Sequence, residues 1–145
     1  MNHTFIVQPG EWIAAGMMQD ETGKEIPMAG AAGITHGADA WHNVFSMAPK
    51  QGDGPQIINA YTIEPCAKPG APTRWTSENP NLGKLRGRFV FVDDTIVSVF
   101  DSEDGAHSGT ELMKQVAGDK YVNVGVLLKQ GKKIASWAFE LQKKT

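Results

Sequence analysis

Glu111 and His107 have the side chains best suited to chemistry in this 145-residue chain. They lie four residues apart in Ala106–Val116, a run with strand character. An even spacing on a strand puts both side chains on one face. If that face is the apolar interior, the Glu111 pKa rises. Such a carboxyl can act as a general acid or base, or hold the polar group of a ligand. Pairing across the preceding turn sets Ser98 opposite Glu111 and Ser102 opposite His107, with Cβ atoms ~5 Å apart. Two plainer outcomes stay open. Glu111 could simply bond Ser98 and an interior water, or a bulge near Gly109 could turn it to solvent.

A second group would line the rest of such an interior. His36, Asn43, Asn59 and Tyr61 supply polar atoms, and Trp41, Trp75 and Trp137 supply rings. Phe89, Phe100, Met113 and Val124 complete the wall. An apolar pocket with a few convergent polar groups is the usual form of a small-molecule site. An ordinary core with locally satisfied polar tips is the alternative. No metal is expected, because His36 and His42 fall on opposite faces and His3 lies in the N-terminal lead-in. Cys66, beside Pro65, adds nothing, and a metal site needs three or four converging ligands. The glycines of Ala29–Gly33 do not match a phosphate loop, so no nucleotide and no other cofactor is expected. Ser108 and Ser136 have no visible triad partners.

These residues are positioned by a meander over Leu85–Leu141. Five runs rich in Val, Ile, Phe, Tyr and Trp are separated by Asp93-Asp94, Asp104-Gly105, Gly118-Asp119 and Gln130-Gly131. Such residues suit a pleated, half-buried surface. Asp-Gly is a strong hairpin signal, because two-residue turns need φ > 0. Two-residue turns throughout pair Phe89 with Ser98, Ser98 with Glu111, Met113 with Val124, and Val124 with Trp137. One face then collects Leu85, Phe89, Phe91, Ile96, Phe100, Met113, Val122, Val124, Val126, Leu128, Trp137, Phe139 and Leu141. That face is taken as the interior, since a one-residue slip anywhere would exchange faces downstream.

The opposite face carries Val90, Val92, Val97, Val99 and Leu112, beside an Arg86–Asp101 pair. A contiguous apolar patch marks a partner surface. A homodimer through Val90, Val97, Val99 and Leu112 is the expected use. Cover by the N-terminal segment is the alternative.

The N-terminal half reads as further short strands. Residues 1–9 form a lead-in, with Phe5-Ile6-Val7 as a plug at one end. Strands are expected at Trp12–Gln19, Met28–His36, Ala40–Met47, Gln56–Glu64 and Thr73–Ser77. Ala38-Asp39 turns the second into the third, and Gly52-Asp53-Gly54 tips a loop over Pro49–Pro55. Pro65–Pro72 cannot continue a sheet interior. No useful 3.6-residue period appears. Eight to ten antiparallel strands in up-and-down order close into a barrel, because closure removes edges. The expectation is one all-β domain over residues 1–145, with room for a small ligand.

Gly10-Glu11-Trp12, followed by this meander, resembles the Gly-x-Trp that opens the first strand of the calycin superfamily, the lipocalin and fatty-acid-binding-protein-like barrels. The resemblance implies a barrel with an interior cavity. It transfers no catalytic or ligand residue. The helix and C-terminal arginine of lipocalins have no counterpart, the last arginine being Arg88.

Composition agrees with a globular protein, at 41% hydrophobic and 21% charged residues. A net charge of −2 without a basic run argues against nucleic acid. One cysteine excludes an intrachain disulfide. No apolar run reaches membrane-spanning length and no signal segment is evident, so a cytoplasmic protein is expected. The leading functional expectation is binding of a small apolar or aromatic ligand in the barrel. The alternative is a cofactor-free isomerase, lyase or cyclase, with Glu111 as acid or base and His107 orienting it.

Overall fold

The computed structural model describes residues 2–52, 54 and 56–145. Ten antiparallel strands follow one another: β1 (Gly10–Asp20), β2 (Glu25–His36), β3 (Trp41–Pro49), β4 (Ile57–Ile63), β5 (Thr73–Asn79), β6 (Gly83–Val92), β7 (Thr95–Ser102), β8 (His107–Ala117), β9 (Lys120–Lys129) and β10 (Lys132–Lys143). Each pairs with the next, and β1 pairs with β10, so the sheet is a closed up-and-down barrel. Closure leaves no ladder edge unpaired. The closing pairs run from Trp12↔Lys143 to Asp20↔Ala135. Of the Gly52-Asp53-Gly54 loop and the Pro that follows it, Asp53 and Pro55 lie outside the described residues.

Alternation builds the interior. Along β5 every second residue, Thr73, Trp75, Ser77 and Asn79, is buried and those between are exposed. The expected hairpin over Ala38-Asp39 forms, with His36↔Trp41, Ile34↔Asn43 and Ala32↔Phe45. Left-handed backbone occurs in three of the four meander turns, at Asp93 (φ 51°), Gly105 (φ 76°), Gln130 (φ 49°) and Gly131 (φ 82°), but at neither Gly118 nor Asp119. Registers β6–β7 and β7–β8 are those expected: Phe89↔Ser98, Ser98↔Glu111 and Ile96↔Met113.

β9 departs from expectation. Near its turn the expected register holds, as Ala117↔Lys120, but a bulge at Val116 then shifts it by one. Gln115 pairs with Tyr121 and Met113 with Asn123. A second irregularity at Ile134 shifts the next register by one again, so Trp137 pairs with Gly125 and Phe139 with Asn123. The shifts cancel in β10, where Phe139 and Leu141 stay inside. They do not cancel in β9. Val122, Val124, Val126 and Leu128 therefore take the outer face, and Val124 is 41% exposed. Tyr121, Asn123 and Leu127 replace them on the inner one.

One end of the barrel is closed by the N-terminal lead-in. Phe5 and Ile6 are buried. Phe5 packs edge-on to Trp12 (centroids 5.2 Å), and Trp12 edge-on to Tyr121 (5.6 Å). The Trp of Gly10-Glu11-Trp12 is thus a closing residue at this end. The Tyr121 hydroxyl accepts from the Thr4 and Phe5 amides at 3.0 and 3.3 Å. His3 bonds the Asp93 carbonyl through Nε2 (2.9 Å), which must therefore carry the proton, so its Nδ1 accepts from the Tyr121 hydroxyl (2.9 Å). The lead-in is the end plug expected from sequence, and it does not cover the Val-rich outer face.

Candidate functional site

Above the plug lies a cavity of about 320 Å³. Its floor includes Phe5, and it reaches the opposite end of the barrel at Asn79, Asn81 and Leu82. The wall is mainly apolar, with Phe45, Met47, Ile57, Trp75, Phe89, Phe100, Met113, Leu127, Trp137, Phe139 and Leu141 among its residues. Small-molecule pockets run from roughly 300 to 1,000 Å³, so this one suits a compact ligand.

Glycines hold the space open. Gly87 pairs with both Trp75 and Phe100, Gly109 with Phe100, and Gly125 with Trp137. A Cβ at Gly87 or Gly125 would overlap the indole of Trp75 or Trp137, and one at Gly109 would overlap the Phe100 ring. With no side chain beneath it, each ring lies over the neighbouring strand and stays out of the centre. Trp75 is further held by donating from Nε1 to Ser98 Oγ (3.2 Å).

Glu111 lies on this wall, partly exposed to the cavity it lines. Its Oε1 accepts from Asn123 Nδ2 (2.6 Å). Burial pushes its carboxyl up to about 7, opposed in part by the Asn123 bond. Desolvation outweighs one hydrogen bond because the charged form loses its whole water shell. Burial also pushes the Tyr61 phenol up, and the nearby Glu111 charge adds to it. Tyr61 is thus a protonated donor beside a carboxyl that changes charge near neutrality. The simple outcome of Glu111 bonding Ser98 does not occur, since Ser98 serves Trp75 and Asn123 serves Glu111. Nor does a bulge at Gly109 turn Glu111 to solvent.

Among the described residues five polar side-chain atoms are buried without a hydrogen bond: Trp12 Nε1, His107 Nδ1, Gln115 Oε1, Ser77 Oγ and, on a residue lining the cavity, Asn43 Oδ1; the last two concern this site. In the register Asn43 and Ser77 both flank Tyr61. At the far end Asn79 Nδ2 donates to Asn59 Oδ1 (2.5 Å), and Asn79 Oδ1 takes the Asn81 and Leu82 amides.

Of the residues expected at a site, Asn43, Asn59, Tyr61, Trp75, Phe89, Ser98, Phe100, Glu111, Met113 and Trp137 line this one cavity. Four do not. Val124 is on the outer face because of the Val116 bulge. His36 and Trp41 stack on each other (4.0 Å, 3°), and His36 Nε2 donates to the Ile6 carbonyl (2.8 Å), so the pair anchors the plug. His107 starts β8 at the opposite end, four residues or ~13 Å along the strand from Glu111. Its amide donates to Ser102 Oγ (2.9 Å), which donates to Asp104 (2.6 Å), a turn network that cannot orient Glu111. Asn123, the partner of Glu111, was hidden by the register slip. A readable signal existed in the repeated pairing of a large ring with a glycine, which favours Trp137 opposite Gly125 over Trp137 opposite Val124.

The fold and site define a closed ten-stranded barrel with one carboxyl among the described residues lining its cavity. No family model matches the chain, and no curated protein matches it. Among solved structures it is similar to the S-type phycobiliprotein lyase CPES from Guillardia theta, with a TM-score of 0.69 at 9% identity over 96% of this chain and 89% of that one. At that identity the likeness concerns the fold.

Proposed function

We propose that this barrel binds a small, mainly apolar or aromatic molecule in its interior, with a polar group of the ligand held at Glu111. The carrying observation is the cavity itself: rings laid over glycines around one carboxyl, with Asn43 and Tyr61 facing the same space. Glu111 is the anchor, and Asn123 and Tyr61 take the supporting place first given to His107. Membership of the calycin superfamily is part of this reading and rests on the fold and the Gly10-Glu11-Trp12 motif. The test is an NMR titration of small aromatic probes, following the Trp75 and Trp137 indole N–H signals, with Trp12 as internal reference. Saturable shifts confined to Trp75 and Trp137 support the reading, and their absence across a varied set ends it.

A second reading, proton-transfer catalysis, is favoured by one observation. A carboxyl raised to about 7 beside a protonated phenol is suited to acid–base work near neutral pH. Isomerase, lyase and cyclase reactions all fit, and the neighbour's name makes a lyase the first to test. Glu111→Gln separates the readings: binding kept and turnover lost means an enzyme.

We also propose that two copies associate through Val90, Val97, Val99 and Leu112. The register slip enlarges that surface, since Leu112 pairs with Val124 and places Val122 and Val124 beside it. Val99 is 57% and Leu112 40% exposed.

A further inference from the structure

We infer that the ligand carries a cationic nitrogen, a protonated amine on an apolar or aromatic body, with Glu111 as its counter-ion. This deepens the ligand-binding proposal and rests on it.

The first argument is charge. The chain has 14 Lys and Arg residues, yet none is among the described residues lining the cavity, and no histidine is either. Glu111 is the one acidic group there, and Tyr61 is the one other titratable side chain. A ligand carboxylate would face a like charge with no cation to offset it, in a medium where such repulsion is weakly screened. A cation meets its opposite at once.

The second argument is hydrogen-bond bookkeeping. Two donors beside Glu111 are already spent, the Asn123 amide on Glu111 itself and the Trp75 indole on Ser98. Besides the Tyr61 hydroxyl, what remains next to Glu111 is acceptor capacity. Asn43 Oδ1 has no partner among the described residues, and no donor among them reaches Glu111 Oε2. A buried acceptor left unpaired is costly, so the arrangement favours a ligand that donates. An ammonium group has up to three N–H donors and accepts none.

The third argument is the rings. Tyr61 and Trp75 are 4.9 Å apart, and Trp75 and Phe100 5.9 Å. Trp137 lies over Gly125, the residue paired with Glu111. Aromatic faces around a carboxylate attract a desolvated cation through their quadrupoles. The rest of the wall accepts an apolar body.

The test compares three probes of one shape at pH 8: 1-naphthylmethylamine, 1-naphthalenemethanol and 1-naphthoate. Binding to the full chain is read by calorimetry and by the Trp75 and Trp137 indole signals. The amine is expected to bind at least about tenfold tighter than the alcohol, the scale of a charge-assisted bond, and the carboxylate weakest. In Glu111→Gln the amine loses its advantage over the alcohol, while the alcohol still moves the Trp75 and Trp137 signals, which shows that the cavity is intact. The amine's affinity in the native chain should rise between pH 6 and 8 as Glu111 ionises, because Tyr61 keeps its proton throughout. A carboxylate that binds as tightly as the amine, or an amine advantage that survives Glu111→Gln, overturns the inference. If the alcohol binds and the amine gains nothing, the cation inference alone fails. If none of the three moves Trp75 or Trp137, the ligand-binding proposal falls with it.

Discussion

At the closed end, Phe5, Trp12 and Tyr121 meet edge to face and fill the barrel, with centroids 5.2 and 5.6 Å apart. In the cavity half, Trp75, Phe100 and Trp137 lie over Gly87, Gly109 and Gly125, and the centre stays empty. Both sets contain Phe and Trp, and what differs for the tryptophans is the residue on the neighbouring strand. Trp12 pairs with Ala32 and Lys143, each of which has a Cβ, whereas Trp137 pairs with Gly125. Polar chemistry divides the same way. At the plug Tyr121 and His36 bond backbone, while Asn43 and Glu111 line the cavity. A closed end that supplies stability can support an open half that gives some up.

The sharpest way to break this contrast is Trp12→Ala. It should cost about 3–5 kcal/mol, read as a lowered denaturant midpoint. The folded fraction should still bind a naphthalene probe, and loss of binding in native protein would mean that the two halves are not separable.

Next in size is the pH dependence contributed by Glu111. It ionises near 4.5 in the unfolded chain and at about 7 in the fold. Between those values the unfolded chain holds fewer protons, so rising pH favours unfolding. The contribution is intact below pH 4.5 and lost above about 7, a change of about 3 kcal/mol. Glu111→Gln should flatten that part of the stability profile, measured as the difference between the two proteins. Equal slopes would place Glu111 in solvent.

Gly125→Val should push the Trp137 indole into the cavity and abolish probe binding, at an overpacking cost of about 1–3 kcal/mol. Retained affinity would show that glycines do not set the cavity. The smallest effect belongs to the outer face. Val99→Lys should change monomer stability by less than about 0.5 kcal/mol while shifting sedimentation from dimer to monomer. A monomeric native chain would remove the dimer proposal.

The fold was legible because its signals are local. Each turn residue announces a hairpin, and each alternating run announces a face, so an up-and-down barrel of eight to ten strands and the β6–β8 register follow from sequence. Bulges leave no such mark. Val116 and Ile134 look like ordinary strand residues, and whether either is the extra one depends on partners in another strand. That hid Asn123 and misplaced Val124. His36 and His107 failed for another reason: face parity was read correctly, but depth along the barrel was not. A shared face says nothing about distance along a strand, which put His107 in a turn network and His36 beneath the plug.

The plug also carries a consequence for how the chain folds. Residues 3–6 are made before the strands of the barrel, yet several of their partners come about a hundred residues later, with His3 joined to Asp93 and Tyr121 across separations of 90 and 118. Trp12 likewise waits for Lys143. Docking of this segment is therefore complete only once the later strands are in place, a non-local closure of the kind that slows folding.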